Sequence, residues 1–186
     1  MLAPRGALHG GWVGGPRKPL GRPIEPSEVC LTPRTLNRNL KYEPADLTMS
    51  VEAGISYREL SETLAQNRQM IPLDPPFADL ATIGGILASN GSGPRRRQFG
   101  SARDLVIGTR VVNADGKLTR AGGRVVKNVA GYDLNKLYIG SLGTLGIIVE
   151  LSLKLAPIPP ASASVIASFA DLDGVRGALT AGVASP

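Results

Sequence analysis

Two stretches of the chain combine glycine with small hydroxyl residues at the junctions between apolar segments. The first is Asp74-Pro75-Pro76 followed by Ala81-Thr82-Ile83-Gly84-Gly85-Ile86-Leu87-Ala88-Ser89-Asn90-Gly91-Ser92-Gly93. The second is Lys127-Asn128-Val129-Ala130-Gly131-Tyr132-Asp133 followed by Ile139-Gly140-Ser141-Leu142-Gly143-Thr144-Leu145-Gly146-Ile147-Ile148. Where side chains are this small, the backbone can approach a ligand closely and offer its N–H groups. Two such surfaces in one chain of 186 residues point to an extended, phosphate-bearing cofactor rather than a small metabolite. Gly84 and Gly85 are adjacent, so the G-x-G-x-x-G pattern fails, and no G-K-[ST] follows for a P-loop.

Regular elements must hold these stretches in place. Prolines at 4, 16, 19, 23, 26, 33 and 44 exclude a helix in residues 1–46, which are expected to be irregular. Leu47–Ala53 alternates apolar and polar residues and predicts a half-buried strand that ends at Gly54. Ser56 and Glu59 form a capping-box pattern, with Ile55 and Leu60 as the hydrophobic staple of a helix reaching Asn67. The small residues of Ala81–Asn90 predict a short helix after a loop. Leu105–Asn113 reads as a strand, Asp115-Gly116 as a hairpin turn and Lys117–Arg120 as the return strand. A short helix is expected over Tyr132–Tyr138 and a β segment over Leu145–Leu155, before a boundary at Pro157-Ile158-Pro159-Pro160. Beyond it, Ser164–Phe169 predicts a strand, and Asp171 is placed to cap a helix reaching about Thr180. That lone β–α unit must dock on the preceding domain or fray.

Composition narrows the function classes. Hydrophobic residues at 42% against 19% charged describe a foldable chain with a core of Leu, Ile, Val and Ala. One cysteine, Cys30, excludes an intramolecular disulfide and fits a reducing compartment. With one histidine, His9, beside it, an ordinary zinc site has too few ligands. No apolar run has the length of a membrane span, and Met1–Gly15 lacks the apolar core of a secretory signal. The net charge of +6, concentrated in Arg95-Arg96-Arg97 and in basic residues before position 40, lacks the aromatic platforms of a nucleic-acid surface. A basic rim near an anionic cofactor, or a contact with an acidic partner, accounts for it.

The combination of Asp74-Pro75-Pro76, Thr82–Gly93, Arg103–Gly108, Lys127–Asp133 and Gly140–Ile148 resembles the FAD-binding domain of the vanillyl-alcohol oxidase/p-cresol methylhydroxylase (PCMH-type) family. Within it, the chain is most similar to the FAD-binding subunits of bacterial glycolate oxidases, from about Gly14 to Phe169. The fold this implies is α+β: a PCMH-type FAD-binding domain of two α/β subdomains, the first truncated, plus the start of a substrate (cap) domain. The expected divisions are 1–46, irregular with a remnant diphosphate loop; 47–158, the FAD-binding domain; and 159–186, the beginning of an incomplete C-terminal substrate domain.

By the same resemblance, Thr82, Ile83, Gly84 and Gly85 approach the flavin and diphosphate through backbone N–H groups, and Ser89 and Asn90 supply polar side chains. Asp74 and Pro75 match the loop leading into that site. Gly143, Gly146 and Ile147 match the turn whose backbone meets the adenine–ribose side. Gly14-Gly15-Pro16-Arg17-Lys18-Pro19-Leu20-Gly21 aligns with the family's G-G-[ST]-K-x-x-x-G diphosphate loop, which makes Gly14 and Gly15 candidates; Pro16 removes a hydroxyl and an N–H there. His9 and Cys30 fall in no motif for covalent flavin attachment, so the resemblance implies noncovalent FAD. Tyr132 reads as a packed residue, Lys127 as a charge near flavin or an interdomain pair, and Arg103-Asp104 as a structural pair.

The function implied is the FAD-binding subunit of a glycolate-type 2-hydroxy-acid oxidase or dehydrogenase; no catalytic residue is assigned. The partners implied are a second FAD subunit and an iron–sulfur subunit in a hetero-oligomer, without nucleic acid or direct membrane insertion. The location implied is cytoplasmic, with peripheral attachment to the inner membrane through partner subunits left open. Two alternatives stand beside it: a non-catalytic FAD-holding assembly or electron-relay subunit, and a truncated remnant.

Overall fold

A computed structural model describes residues 31–123, 133–164 and 166–184. The first strand, β1 (Asn39–Glu43), lies inside the stretch expected to be irregular, and a 3₁₀ turn at Pro44–Asp46 carries it into β2 (Thr48–Glu52). Proline spacing rules out a helix but not an edge strand, and β1 exists because it pairs with β2 in antiparallel register. Helix α1 (Tyr57–Ala65) starts where the sequence places it: Ser56 Oγ accepts the Glu59 N–H at 3.1 Å, and Ile55 and Leu60 are fully buried beside it. After β3 (Gln69–Met70) come α2 (Ile83–Ala88), α3 (Arg96–Phe99) and α4 (Ala102–Leu105).

The hairpin β4 (Val106–Val112) and β5 (Leu118–Gly122) turns at Asp115-Gly116, where Gly116 has φ +78°. Helix α5 (Leu134–Tyr138) then leads to β6 (Ile147–Lys154) and β7 (Ala156–Pro157). One antiparallel sheet runs in the order β1-β2-β6-β4-β5, and β3 pairs with β7 as a separate two-stranded ribbon. The long-range β2–β6 pairing, Val51 opposite Leu151 and Met49 opposite Leu153, binds the two halves of the chain into one unit. Those four side chains, with Leu60, Leu64, Ile83, Leu87 and Ile139, form the core between sheet and helices. This is the mixed α and antiparallel-β domain expected.

The Ser164–Phe169 strand does not form among its described residues, and Ile166 is 95% exposed. A single extended segment gains nothing as a strand unless another strand supplies hydrogen bonds. Helix α6 (Leu172–Ala184) does form; Asp171 Oδ1 accepts the Gly174 N–H at 2.8 Å, yet Leu172 and Leu179 are exposed. Arg103 and Asp104 do not pair with each other. Asp104 closes a capping box on the N–H and hydroxyl of Ser101, both at 2.8 Å, while Arg103 donates to the Ile139 carbonyl.

Candidate functional site

Helix α2 buries Ile83, Ile86 and Leu87 in the core, and backbone contacts at its glycines fix how closely it lies against β2. Thr82 caps it, its Oγ1 accepting the Gly85 N–H at 3.2 Å. The Ile83 N–H donates to Ile55 O at 3.0 Å and the Gly84 N–H to Ala53 O at 2.8 Å. A Cβ at Gly84 would lie 2.7 Å from Ala53 O and 2.8 Å from Ala53 Cβ, so glycine is required for the helix to lie against the end of β2. This narrows the expected donor role, which covered Thr82 as well. The N–H groups of Ile83, Gly84 and Gly85 are all spent inside the fold, leaving this turn to meet a ligand through carbonyls, Cα surfaces and side chains.

The other end of α2 closes in a Schellman motif. Asn90 takes the left-handed conformation at φ +49°, its N–H donating to Leu87 O at 3.0 Å, and Gly91 N–H reaches Ile86 O at 2.7 Å. The second glycine-rich stretch joins here. Gly140 N–H donates to Leu87 O at 3.0 Å, and Leu142 N–H to Ala88 O at 2.8 Å. Carbonyls at a helix C-terminus have no partner within the helix, and residues 140–142 supply donors for two of them. The two stretches singled out in the sequence thus share a backbone seam.

Around that seam the remaining candidates take distinct positions. Ser89 Oγ donates back to Gly85 O and Ile86 O, at 2.9 and 3.1 Å. The side-chain Oδ1 of Asn90 is buried and accepts no hydrogen bond among the described residues. Asp74, at φ +44°, ties down the chain beyond α2: its carboxylate lies 3.1 Å from Arg95 Nε and 3.3 Å from Arg95 N, and Gly93 sits directly against its backbone. Pro75 is buried beside it. Gly143 at φ +76° and Gly146, packed against Val111, shape the turn into β6, and Ile147 opens that strand opposite Val112. Gly14, Gly15, Lys127 and Tyr132 lie outside the described residues.

Sequence reasoning missed two residues of this arrangement. Gly140, at φ +82° and with room for a Cβ only 3.2 Å from Asn90 Cβ, makes the seam possible. In the sequence Arg95 shows only as part of a basic run, whereas its place opposite Asp74 makes it a structural tie. Neither role has a local signature, since each depends on a partner more than 20 residues away.

Comparison with known proteins gives this arrangement its family. The profile of the FAD binding domain matches residues 8–122. The chain belongs to the PCMH-type FAD-binding family. It is 42% identical over 147 residues to the glycolate oxidase subunit GlcE of Escherichia coli, covering 78% of this chain and 41% of that protein. It is 37% identical over 138 residues to the glycolate oxidase subunit GlcD of Bacillus subtilis, covering 74% and 29%. A mitochondrial D-lactate dehydrogenase (cytochrome) of Arabidopsis thaliana is 38% identical over 141 residues, covering 76% and 24%. Among solved structures, an alkyldihydroxyacetonephosphate synthase superposes with a TM-score of 0.59 at 30% identity, over 69% of this chain and 23% of that one. The chain therefore spans about two fifths or less of the length of these relatives.

FAD is the cofactor of this domain. The residues present fit it: a buried acceptor left without a donor costs about 1–3 kcal/mol, and the hydroxyl and ring N–H groups of a flavin dinucleotide are donors of the kind Asn90 Oδ1 lacks.

Proposed function

We propose that the chain is the FAD-binding part of a glycolate-type 2-hydroxy-acid oxidase or dehydrogenase, holding FAD noncovalently. The single observation that supports it most is the seam between Leu87–Asn90 and Gly140–Leu142, with the unpaired Asn90 Oδ1 buried beside it. FAD bound there supplies the acceptor for the hydride and electrons of substrate oxidation. The protein's own contribution is to hold and orient it. In this reading Gly14 and Gly15 belong to the diphosphate loop, and Asp74 and Pro75 shape the approach to α2. Thr82, Ile83, Gly84, Gly85 and Ser89 form the close backbone surface, Asn90 accepts from the cofactor, and Gly143, Gly146 and Ile147 line the adenosine side.

Relatives that carry the word subunit in their names support a multi-subunit assembly for this chain too. Its finer composition, a second FAD subunit with an iron–sulfur subunit, follows the family resemblance. No helix among the described residues is long and apolar enough to cross a membrane. A cytoplasmic location, with any membrane attachment made by partners, is in keeping with that.

The test is the visible spectrum of the purified chain before and after added FAD, then under anaerobic glycolate or D-lactate. A flavin spectrum bleached by either acid is the expected result. A bound flavin that neither acid reduces would make the chain a non-catalytic FAD holder. No flavin, and no uptake of added FAD, would overturn the reading altogether.

A further inference from the structure

The face of the sheet turned away from α1 and α2 carries an ordered row of charges. Met49, Val51, Leu151 and Leu153 point into the core, so alternation puts Ser50, Glu52, Glu150 and Ser152 on the opposite face. Arg120 of β5 stands directly across from Arg110 of β4, Arg110 from Glu150 of β6, and Glu150 from Glu52 of β2. Arg110 Nη1 bonds Glu150 Oε1 at 2.7 Å. Glu52 is closed off by Arg38, 2.7 Å away, whose side chain is 75% exposed while that of Glu52 is 5% exposed. Three guanidinium groups thus reach solvent along this row, with Glu150 the one accessible carboxylate, and Arg110 already holds it. Arg120 has no ion-pair partner among the described residues.

Beside the charges runs a parallel row of small residues, Gly122, Gly108, Ser152 and Ser50, paired strand to strand. The Ser50 and Ser152 hydroxyl oxygens are 2.8 Å apart. Two hydroxyls in mutual contact use one of their two protons on each other and have the second to donate elsewhere. Arg110, Arg120, Glu150, Gly108, Gly122 and Ser152 all line one concavity. Like charges directly opposite across an antiparallel pair are destabilising. One carboxylate neutralises half of the Arg110–Arg120 pair, and a second oxyanion between them would neutralise the rest, with the planar geometry guanidinium groups favour.

We propose that this concavity is a carboxylate-binding site, with Arg120 and the outer side of Arg110 as cationic donors over the Gly108–Gly122 floor. It lies on the face of the sheet opposite α2 and goes beyond the FAD reading. A free small acid and the side chain of an acidic polypeptide present the same group, so both are titrated. The 186-residue chain, isotopically labelled, receives sodium oxalate in one series and a short Glu-Gly repeat peptide in another, at ionic strength matched with sodium chloride. Saturable amide shifts confined to residues 108–110, 119–122 and 150–152 are expected. The probe that saturates at lower concentration identifies the source.

Arg120→Gln should weaken the preferred probe about tenfold or more. Arg176→Gln, which removes the same charge from an exposed position on α6, should leave it unchanged. FAD uptake, followed on the same samples, should be unaltered in both variants and reports separately on the cofactor reading. Absence of saturable shifts with either probe, equal shifts with chloride alone, or equal weakening by Arg176→Gln would overturn the proposal.

Discussion

Gly140 donates its N–H to the carbonyl of Leu87 at 3.0 Å, across 53 residues of sequence, and so caps the C-terminus of α2 from outside the helix. A six-residue helix with two glycines has little stability of its own. Its end is held because Leu142 supplies a donor to the Ala88 carbonyl, and Gly140 gives the Leu87 carbonyl a second donor beside Asn90. Gly140 can do this only at φ +82°, with the Asn90 side chain close by. Gly140→Val should therefore destabilise the fold by about 1–3 kcal/mol and weaken FAD binding together. Chemical denaturation of the apo chain and a flavin titration measure the two effects. Unchanged stability with normal FAD content would contradict the seam.

Gly84 tests a different relation. Its missing Cβ is space already filled by Ala53, not space held for a ligand. Gly84→Ala should cost about 1–3 kcal/mol through overpacking, and the loss should be visible in the absence of FAD. A variant with wild-type apo stability and impaired FAD uptake would mean that glycine is needed there for the cofactor and not for packing on Ala53.

The scaffold was largely legible because its signals are local. Ser56, Glu59, Ile55 and Leu60 specify the start of α1 within six residues, and Asp115-Gly116 specifies the β4–β5 turn. The departures occur where a distant partner decides. Asn39–Glu43 becomes a strand through β2, whereas Ser164–Phe169 finds no strand to pair with among the described residues. At the site, the small residues at Thr82–Gly85 signal close backbone approach without saying to what, and within the fold the approach of Gly84 is to Ala53. Which backbone approaches was hidden: Ile55, Ala53 and Thr82 itself take the three N–H groups.

Acid should weaken the sheet through Glu52. The Arg38 guanidinium and backbone N–H hold its carboxylate below the usual carboxylate range, against the opposing effect of burial. A carboxylate with a depressed folded pKa contributes fully above its unfolded value of about 4.3, and loses that contribution as pH falls through the folded value. Stability should therefore decline below about pH 5, and Glu52→Gln should be less stable at pH 7 with a flatter decline. Urea unfolding of both proteins at pH 7 and pH 3.5 checks this; parallel declines would exclude Glu52 as a contributor.

Asn90 separates a structural role from a ligand role within one side chain. Its backbone provides the left-handed residue that ends α2, a conformation glycine adopts without strain. Its Oδ1 is buried without a donor among the described residues. Asn90→Gly keeps the first and deletes the second, and it relieves the apo chain of an unpaired acceptor. The apo variant should accordingly unfold within about 1 kcal/mol of wild type, while its FAD affinity falls about tenfold. Flavin fluorescence titration and thermal unfolding with and without FAD give both quantities on the same material. If Asn90→Gly bound FAD as tightly as wild type, the acceptor would have to serve the fold rather than the cofactor.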